Sequence, residues 1–74
     1  MPRIYQSYNI ENCIQELRGK TELTQQELAN ELGITRATVL ALEKGSYNPS
    51  LELAFRISKY FKLGIEEIFK VKGK

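Results

Sequence analysis

The sequence predicts an all-α fold of five short helices, and two observations support that prediction. First, apolar residues recur three or four positions apart: Leu28 and Leu32 share one helical face, and Val39 and Leu42 share another. Second, glycines and a proline fall between such segments, at points where helices end and chains turn. The length of 74 residues is that of one small domain, 1–74.

The helices can be placed in order along the chain. The first is expected from about Ile10 to Arg18, with Asn9 as its cap and Gly19 at its end. Its apolar face comprises Ile10, Cys13, Ile14 and Leu17. Helices two to five are expected at about Gln25–Leu32, Arg36–Lys44, Leu51–Phe61 and Ile65–Phe69, with Gly64 ending the fourth.

The segment from Thr24 to Lys44 is the most informative part of the chain. Thr24 and Thr35 each precede a helical stretch and can cap it, and Glu27 stands three residues after Thr24 to complete a capping box. Between the two helices, Gly33 can adopt a positive φ that a Cβ would penalise. We therefore expect a helix, a sharp glycine turn and a second helix.

The two ends of the chain do not have a helical pattern. Residues Arg3–Tyr8 and Phe69–Lys72 alternate with period two and include residues that favour strands. Two interpretations remain open. The ends either pair as a short two-stranded antiparallel ribbon or are two frayed tails.

Composition limits the classes of protein that are compatible with the chain. The net charge of +2 is too small to indicate nucleic-acid binding, and between Thr24 and Gly45 two cations face three carboxylates. No apolar run approaches a membrane span, and no signal-peptide pattern is present, so a cytoplasmic location is expected. The single cysteine, Cys13, is interpreted as a small core residue. Without histidine or a glycine-rich phosphate loop, we expect no enzyme, cofactor or metal.

Several short motifs, in order, resemble the phage Cro/repressor-type (XRE) helix-turn-helix family. They are Leu17–Arg18, Leu23–Ala29, Glu43–Gly45, Tyr47–Ala54 and Ile65–Phe69, and together they extend over about residues 10–70. The resemblance implies a five-helix repressor-type domain that binds double-stranded DNA in the major groove. Glu22 stands where family members often carry glycine, so the bend between helices one and two is expected to differ here.

Helix three is the element that reads DNA in this family. If Val39 and Leu42 face inward, the opposite side presents Ala37, Leu40, Ala41 and Lys44, with Arg36 at its N-terminal edge. We call these five residues the reading face. The resemblance implies that Arg36 is the main base reader, because its guanidinium matches the two acceptors of a guanine edge. Ala37, Leu40 and Ala41 offer only apolar contact, for example with thymine methyl groups; for Leu40 a protein partner is the alternative.

Residues around helix three are expected to contact phosphates. In the family a glutamine at the position of Gln25 bonds phosphate and braces the first reading side chain, here Arg36. Thr35 and Thr38 can reach phosphate oxygens from the start of helix three. Lys44, Tyr47 and Asn48 follow at its end, although Tyr47 is equally consistent with a lid over the core.

The resulting functional prediction is sequence-specific DNA binding in transcriptional control, by a homodimeric repressor on a palindromic operator. The dimer interface is expected in the C-terminal part, at Phe61, Leu63, Ile65, Ile68, Phe69 and Val71. Closure of the monomer core by the same residues is the alternative. The second functional class is a protein-binding module, such as an antitoxin-like or anti-repressor subunit.

Overall fold

The computed structural model describes residues 9–72, which form five helices and two short strands. The helices are α1 (Ile14–Lys20), α2 (Gln25–Leu32), α3 (Arg36–Lys44), α4 (Leu51–Phe61) and α5 (Ile65–Ile68). The strands are β1 (Ile10–Asn12) and β2 (Phe69–Val71). The predicted architecture is confirmed, and α2, α3 and α4 have the predicted bounds.

The two strands form the antiparallel ribbon that was one of two interpretations of the chain ends. Ile10 pairs with Val71 and Asn12 with Phe69, and the amide of Lys72 donates to the carbonyl of Asn9 at 2.7 Å. The first strand, however, is not where the alternation places it. The predicted segment 3–8 lies outside the described residues, and β1 occupies positions assigned above to helix one.

Helix α1 therefore begins four residues later than predicted. Asn12, not Asn9, supports its start, because the Asn12 Oδ1 atom accepts a hydrogen bond from the Ile14 amide at 3.0 Å. Gly19 lies inside α1 and does not end it. Cys13 is the residue before the helix and is half-buried, with its thiol 3.6 Å from the carbonyl oxygen of Glu67.

The α2–turn–α3 motif has the predicted local structure. The Thr24 hydroxyl accepts from the Glu27 amide at 3.0 Å, and the Glu27 carboxylate accepts from the Thr24 amide at 2.8 Å, which completes the capping box. Gly33 has a φ of 71°, in the left-handed region that glycine favours. The Thr35 hydroxyl accepts from the Thr38 amide at 3.2 Å and so caps α3.

Two residues with a side chain also adopt left-handed backbone conformations. Glu22 has a φ of 59°, so the α1–α2 bend uses the conformation that glycine adopts without strain. Lys62 also has a φ of 59° and ends α4, a role that the sequence assigned to Gly64. Gly64 instead precedes α5 with a φ of −70°.

The core lies between the helices and fixes the orientation of α3. Leu28, Leu32, Val39 and Leu42 are each at most 1% exposed, as predicted. They pack with residues from α1, α4 and α5, namely Ile14, Leu53, Ile57 and Ile68. Because α3 buries the Val39 and Leu42 side, its other side faces solvent.

Candidate nucleic-acid interface

The reading face lies on the solvent side of α3. Arg36, Ala37, Leu40 and Lys44 are exposed and Ala41 is half-buried. The Leu40 side chain is 39% exposed. The face therefore offers one guanidinium at its start, one ammonium at its end and an apolar strip between them.

A shallow notch adjoins the apolar strip. Ala37, Thr38, Ala41 and Tyr47 line it, and its volume is about 190 Å³. Tyr47 is 43% exposed and lies beside α3, so its ring does not close the core as a lid would. Asn48 lies elsewhere, in a polar cleft of about 490 Å³ that it shares with Lys44 and β1.

The hydroxyls of Thr35 and Thr38 lie at the N-terminal end of α3. Their Oγ1 atoms are 3.0 Å apart, within hydrogen-bond distance. Thr35 is exposed and Thr38 half-buried. The free amide groups of a helix start attract anions, so both hydroxyls lie where a phosphate oxygen is favoured.

Gln25 does not brace Arg36 as the resemblance implies. Its Nε2 atom donates to Glu43 Oε1 at 3.1 Å, and none of the hydrogen bonds among residues 9–72 joins it to Arg36. Gln25 remains half-buried at the start of α2, so part of its amide still faces solvent. The sequence prediction of its place in the fold is confirmed, but its partner is different.

Glu43 is the acceptor in an ion pair that the sequence prediction missed. Arg18 Nε lies 2.7 Å from Glu43 Oε2, Arg18 Nη2 lies 3.3 Å from Oε1, and Arg18 Nη1 donates to the Leu23 carbonyl at 2.9 Å. The Glu43 side chain is 4% exposed and that of Arg18 18%. The hydrogen bond to Glu43 raises the pKa of Arg18 above its ordinary value.

One sequence signal could have revealed this pair. Glu43 stands four residues after Val39 and so continues the buried stripe of α3. A carboxylate on a buried stripe requires a partner, although the identity of that partner, 25 residues away, has no local signal.

The predicted dimer residues differ in how much surface they offer. Ile68 is 1% exposed and belongs to the monomer core, so its assignment to an interface is wrong. Phe61, Leu63 and Phe69 are half-buried against the core, and Ile65 is also half-buried. Val71 is 39% exposed.

Helix α4 has an exposed apolar pair that the sequence prediction did not identify. Leu51 is 71% exposed and Phe55, one helical turn later, is 52% exposed. Their spacing places them off the Leu53, Ala54 and Ile57 stripe, which is the signal that could have identified them.

The described part of the chain offers neither a metal-binding cluster nor a membrane-spanning helix. No group of three or more acidic, cysteine or histidine residues within 9–72 is arranged to hold a metal ion. In the same residues no helix combines the length and the apolar character needed to cross a bilayer.

A capped helix, a left-handed glycine turn and a second helix with one solvent face form the helix-turn-helix that is found in DNA-binding proteins. A family model described as helix-turn-helix matches residues 14–68. The chain belongs to this family, of the Cro/repressor (XRE) type, and is a DNA-binding transcriptional regulator. The family is non-enzymatic, which confirms the prediction that the chain is not an enzyme.

Individual proteins agree with this assignment. The chain is 48% identical over 60 residues to an HTH-type transcriptional regulator of Methanocaldococcus jannaschii, covering 81% of this chain and 91% of that one. It is 38% identical over 55 residues to the cryptic phage CTXphi transcriptional repressor RstR of Vibrio cholerae, covering 74% of this chain but 50% of RstR. The crystal structure of the transcriptional regulator VanUg superposes over the full length of both chains with a TM-score of 0.75 at 20% identity, a likeness of fold.

Proposed function

We propose that this regulator recognises a specific DNA sequence through the reading face of α3, as a homodimer that represses transcription from a palindromic operator. The observation that supports the proposal best is the orientation of α3: its apolar side is sealed in the core while Arg36 and Leu40 face solvent. RstR, to which the chain is 38% identical over 55 residues, is a transcriptional repressor. The protein would act in the cytoplasm, where its DNA lies.

Arg36 has the chemistry for direct base readout in this proposal. Its side chain is exposed at the first position of α3, and it has no ion-pair partner among residues 9–72. Gln25, Thr35, Thr38, Lys44, Tyr47 and Asn48 would surround it as positioning contacts, mainly to phosphates. Ala37, Leu40 and Ala41 would contact apolar base edges such as thymine methyl groups.

In-vitro selection of bound DNA tests specificity, half-site spacing and palindromy together. We expect two inverted half-sites whose centres are about 34 Å apart, because one reading helix specifies only a few base pairs. Selection of no consensus, with binding that depends on salt alone, would contradict sequence-specific recognition.

Substitutions can distinguish whether Arg36 reads a base or contacts a phosphate. Arg36→Ala should weaken binding to the selected site by about 1–3 kcal/mol and relax the preference at one base pair per half-site. Gln25→Ala should lower affinity without a change of consensus. The matched control is Gln26→Ala, because the Gln26 side chain is exposed and, within residues 9–72, is bonded only to Asn30. An equal loss for every sequence with Arg36→Ala would reassign that residue to phosphate binding.

The proposed dimer can use one of two surfaces. The first contains Phe61, Leu63, Ile65, Phe69 and Val71 in the C-terminal part, and the second is the exposed Leu51 and Phe55 pair on α4. Either would leave the reading face free, and a two-fold axis there would give a self-complementary contact.

Two exposed residues allow a test without damage to the core. Val71 is 39% exposed and Phe55 52% exposed, so an aspartate at either position leaves the buried residues in place. Sedimentation with and without the selected DNA should show a dimer that Val71→Asp dissociates and Phe55→Asp does not; the reverse pattern would move the interface to α4. A wild type that stays monomeric on DNA at high micromolar concentration would rule out the dimer.

The second candidate function is a protein-binding module. The exposed side chain of Leu40 favours it, because a 39% exposed leucine at the centre of the reading face also suits an apolar partner surface. A gel shift that depends steeply on salt but not on sequence, or no shift at all, would favour this candidate over the first.

A further inference from the structure

Gln25 contacts a group that fixes the direction of its amide. Its Nε2 atom lies 3.1 Å from Glu43 Oε1. An ionised carboxylate can only accept hydrogen bonds, so the nitrogen end of the amide must face Glu43 and the carbonyl end must face away. One of the two Nε2 hydrogens is used in this contact, and the other remains free to donate.

Glu43 is itself held on both of its oxygens. Arg18 Nε donates to Oε2 at 2.7 Å, while Oε1 lies 3.3 Å from Arg18 Nη2 and accepts from Gln25. Arg18 is anchored in turn to the Leu23 carbonyl at 2.9 Å. With its side chain 4% exposed, the carboxylate is shielded from water, which would otherwise compete for these hydrogen bonds.

These contacts connect three helices. Arg18 lies on α1, Glu43 near the end of α3 and Gln25 at the first position of α2. The start of a helix presents free amide groups that attract anions, so the amide of Gln25 lies beside a favourable place for a phosphate. Most glutamines on a surface sample several rotamers, whereas this one is tethered by its nitrogen.

We infer that Glu43 is a positioning residue for DNA binding, which holds the Gln25 amide so that its free N–H is directed at one DNA phosphate. This inference rests on the proposed function. Holding the side chain before binding removes the entropy cost of ordering it, an effect worth roughly threefold to tenfold in affinity. Glu43 thereby contributes to binding although its own carboxylate would repel phosphate.

Operators with a single neutral methylphosphonate at each backbone position provide the test, since each removes one phosphate charge. With wild-type protein, several positions per half-site should weaken binding, and one of them should do so several-fold through loss of the Gln25 contact. Gln25→Ala should abolish sensitivity at that position, and Gln26→Ala should preserve it. Glu43→Gln has nearly the same shape, but its amide can still present an oxygen to Gln25 while it no longer neutralises Arg18. This variant should lower affinity roughly threefold to tenfold. It should also reduce the sensitivity at the position that depends on Gln25.

The outcomes separate this inference from the proposed function. If the wild type selects no DNA, the proposed function fails. If it binds selected DNA but Glu43→Gln retains the wild-type sensitivity at the Gln25 phosphate, the positioning role is refuted while DNA binding stands. The same holds if Gln25→Ala leaves the pattern unchanged.

A measurement on free wild-type protein covers the case in which Glu43→Gln does not fold. Side-chain amide exchange with water, followed by NMR, should be at least several-fold slower for Gln25 than for Gln15, whose side chain on α1 is exposed. Equal exchange rates would show that Glu43 does not hold the amide in solution and would overturn the inference.

Discussion

Substitution of Gly33 by alanine should destabilise the protein, and the same change at Gly19 should stabilise it. Gly33 has a φ of 71°, where a Cβ costs about 1–2 kcal/mol. A Cβ there would also lie 3.4 Å from Arg56 Nη1, which donates to the Leu32 carbonyl at 2.7 Å. At that distance the two atoms make an ordinary van der Waals contact, so the cost comes from the backbone conformation.

The unfolded state offsets part of this cost. Alanine restricts the unfolded chain and so contributes about 0.4–1 kcal/mol of stability. The net expectation for Gly33→Ala is therefore a loss of about 1 kcal/mol. Gly19 lies within α1, and a Cβ there would meet nothing within 4 Å, so Gly19→Ala should add about 0.5–1 kcal/mol.

Thermal unfolding followed by circular dichroism resolves changes of this size, because 1 kcal/mol shifts Tm by about 4–8 °C in a domain of this length. Gly33→Asn should lose less than Gly33→Ala, since asparagine tolerates the left-handed region, and Gly33→Val should lose more. A rise in Tm with Gly33→Ala, or a shift of the same sign at Gly19, would refute the assignment of opposite backbone conformations to the two glycines.

Three further changes test other parts of the fold. Leu32→Ala should cost about 2–5 kcal/mol in urea unfolding, because the side chain is 1% exposed; a loss below 1 kcal/mol would contradict its place in the core. Lys62→Gly should raise stability by about 1 kcal/mol by relieving a φ of 59° at the end of α4, and an unchanged Tm would dispute that conformation. Thr24→Ala should cost about 1 kcal/mol by removing the cap of α2, with Thr24→Ser expected to retain most of it.

The α2–turn–α3 motif could be predicted from sequence because its determinants are local. Thr24, Glu27, Gly33 and Thr35 act within four residues of their partners, and the apolar spacing fixes which side of α3 is buried. The direction of the reading face follows from that spacing. Local signals were therefore sufficient for the element on which the proposed function depends.

The start of the chain could not be predicted in the same way. Ile10 has helical spacing relative to Ile14, but it pairs with Val71 in the ribbon, and a partner that distant has no local signature. The contact that Gln25 makes with Glu43 could not be predicted for a related reason. Glu43 accepts from the Gln25 amide nitrogen, and its position depends on Arg18 from another helix.

The ribbon also has a consequence for the order in which the protein folds. Most helix contacts join elements that are neighbours in the chain, whereas Ile10 and Val71 are about sixty residues apart. Closing so long a loop is entropically costly, so we expect the helices to assemble first and the strands to pair late. During synthesis β1 leaves the ribosome early and stays unpaired until Val71 has been made. The helix-turn-helix, with all its caps and its turn within 24–45, can form before that.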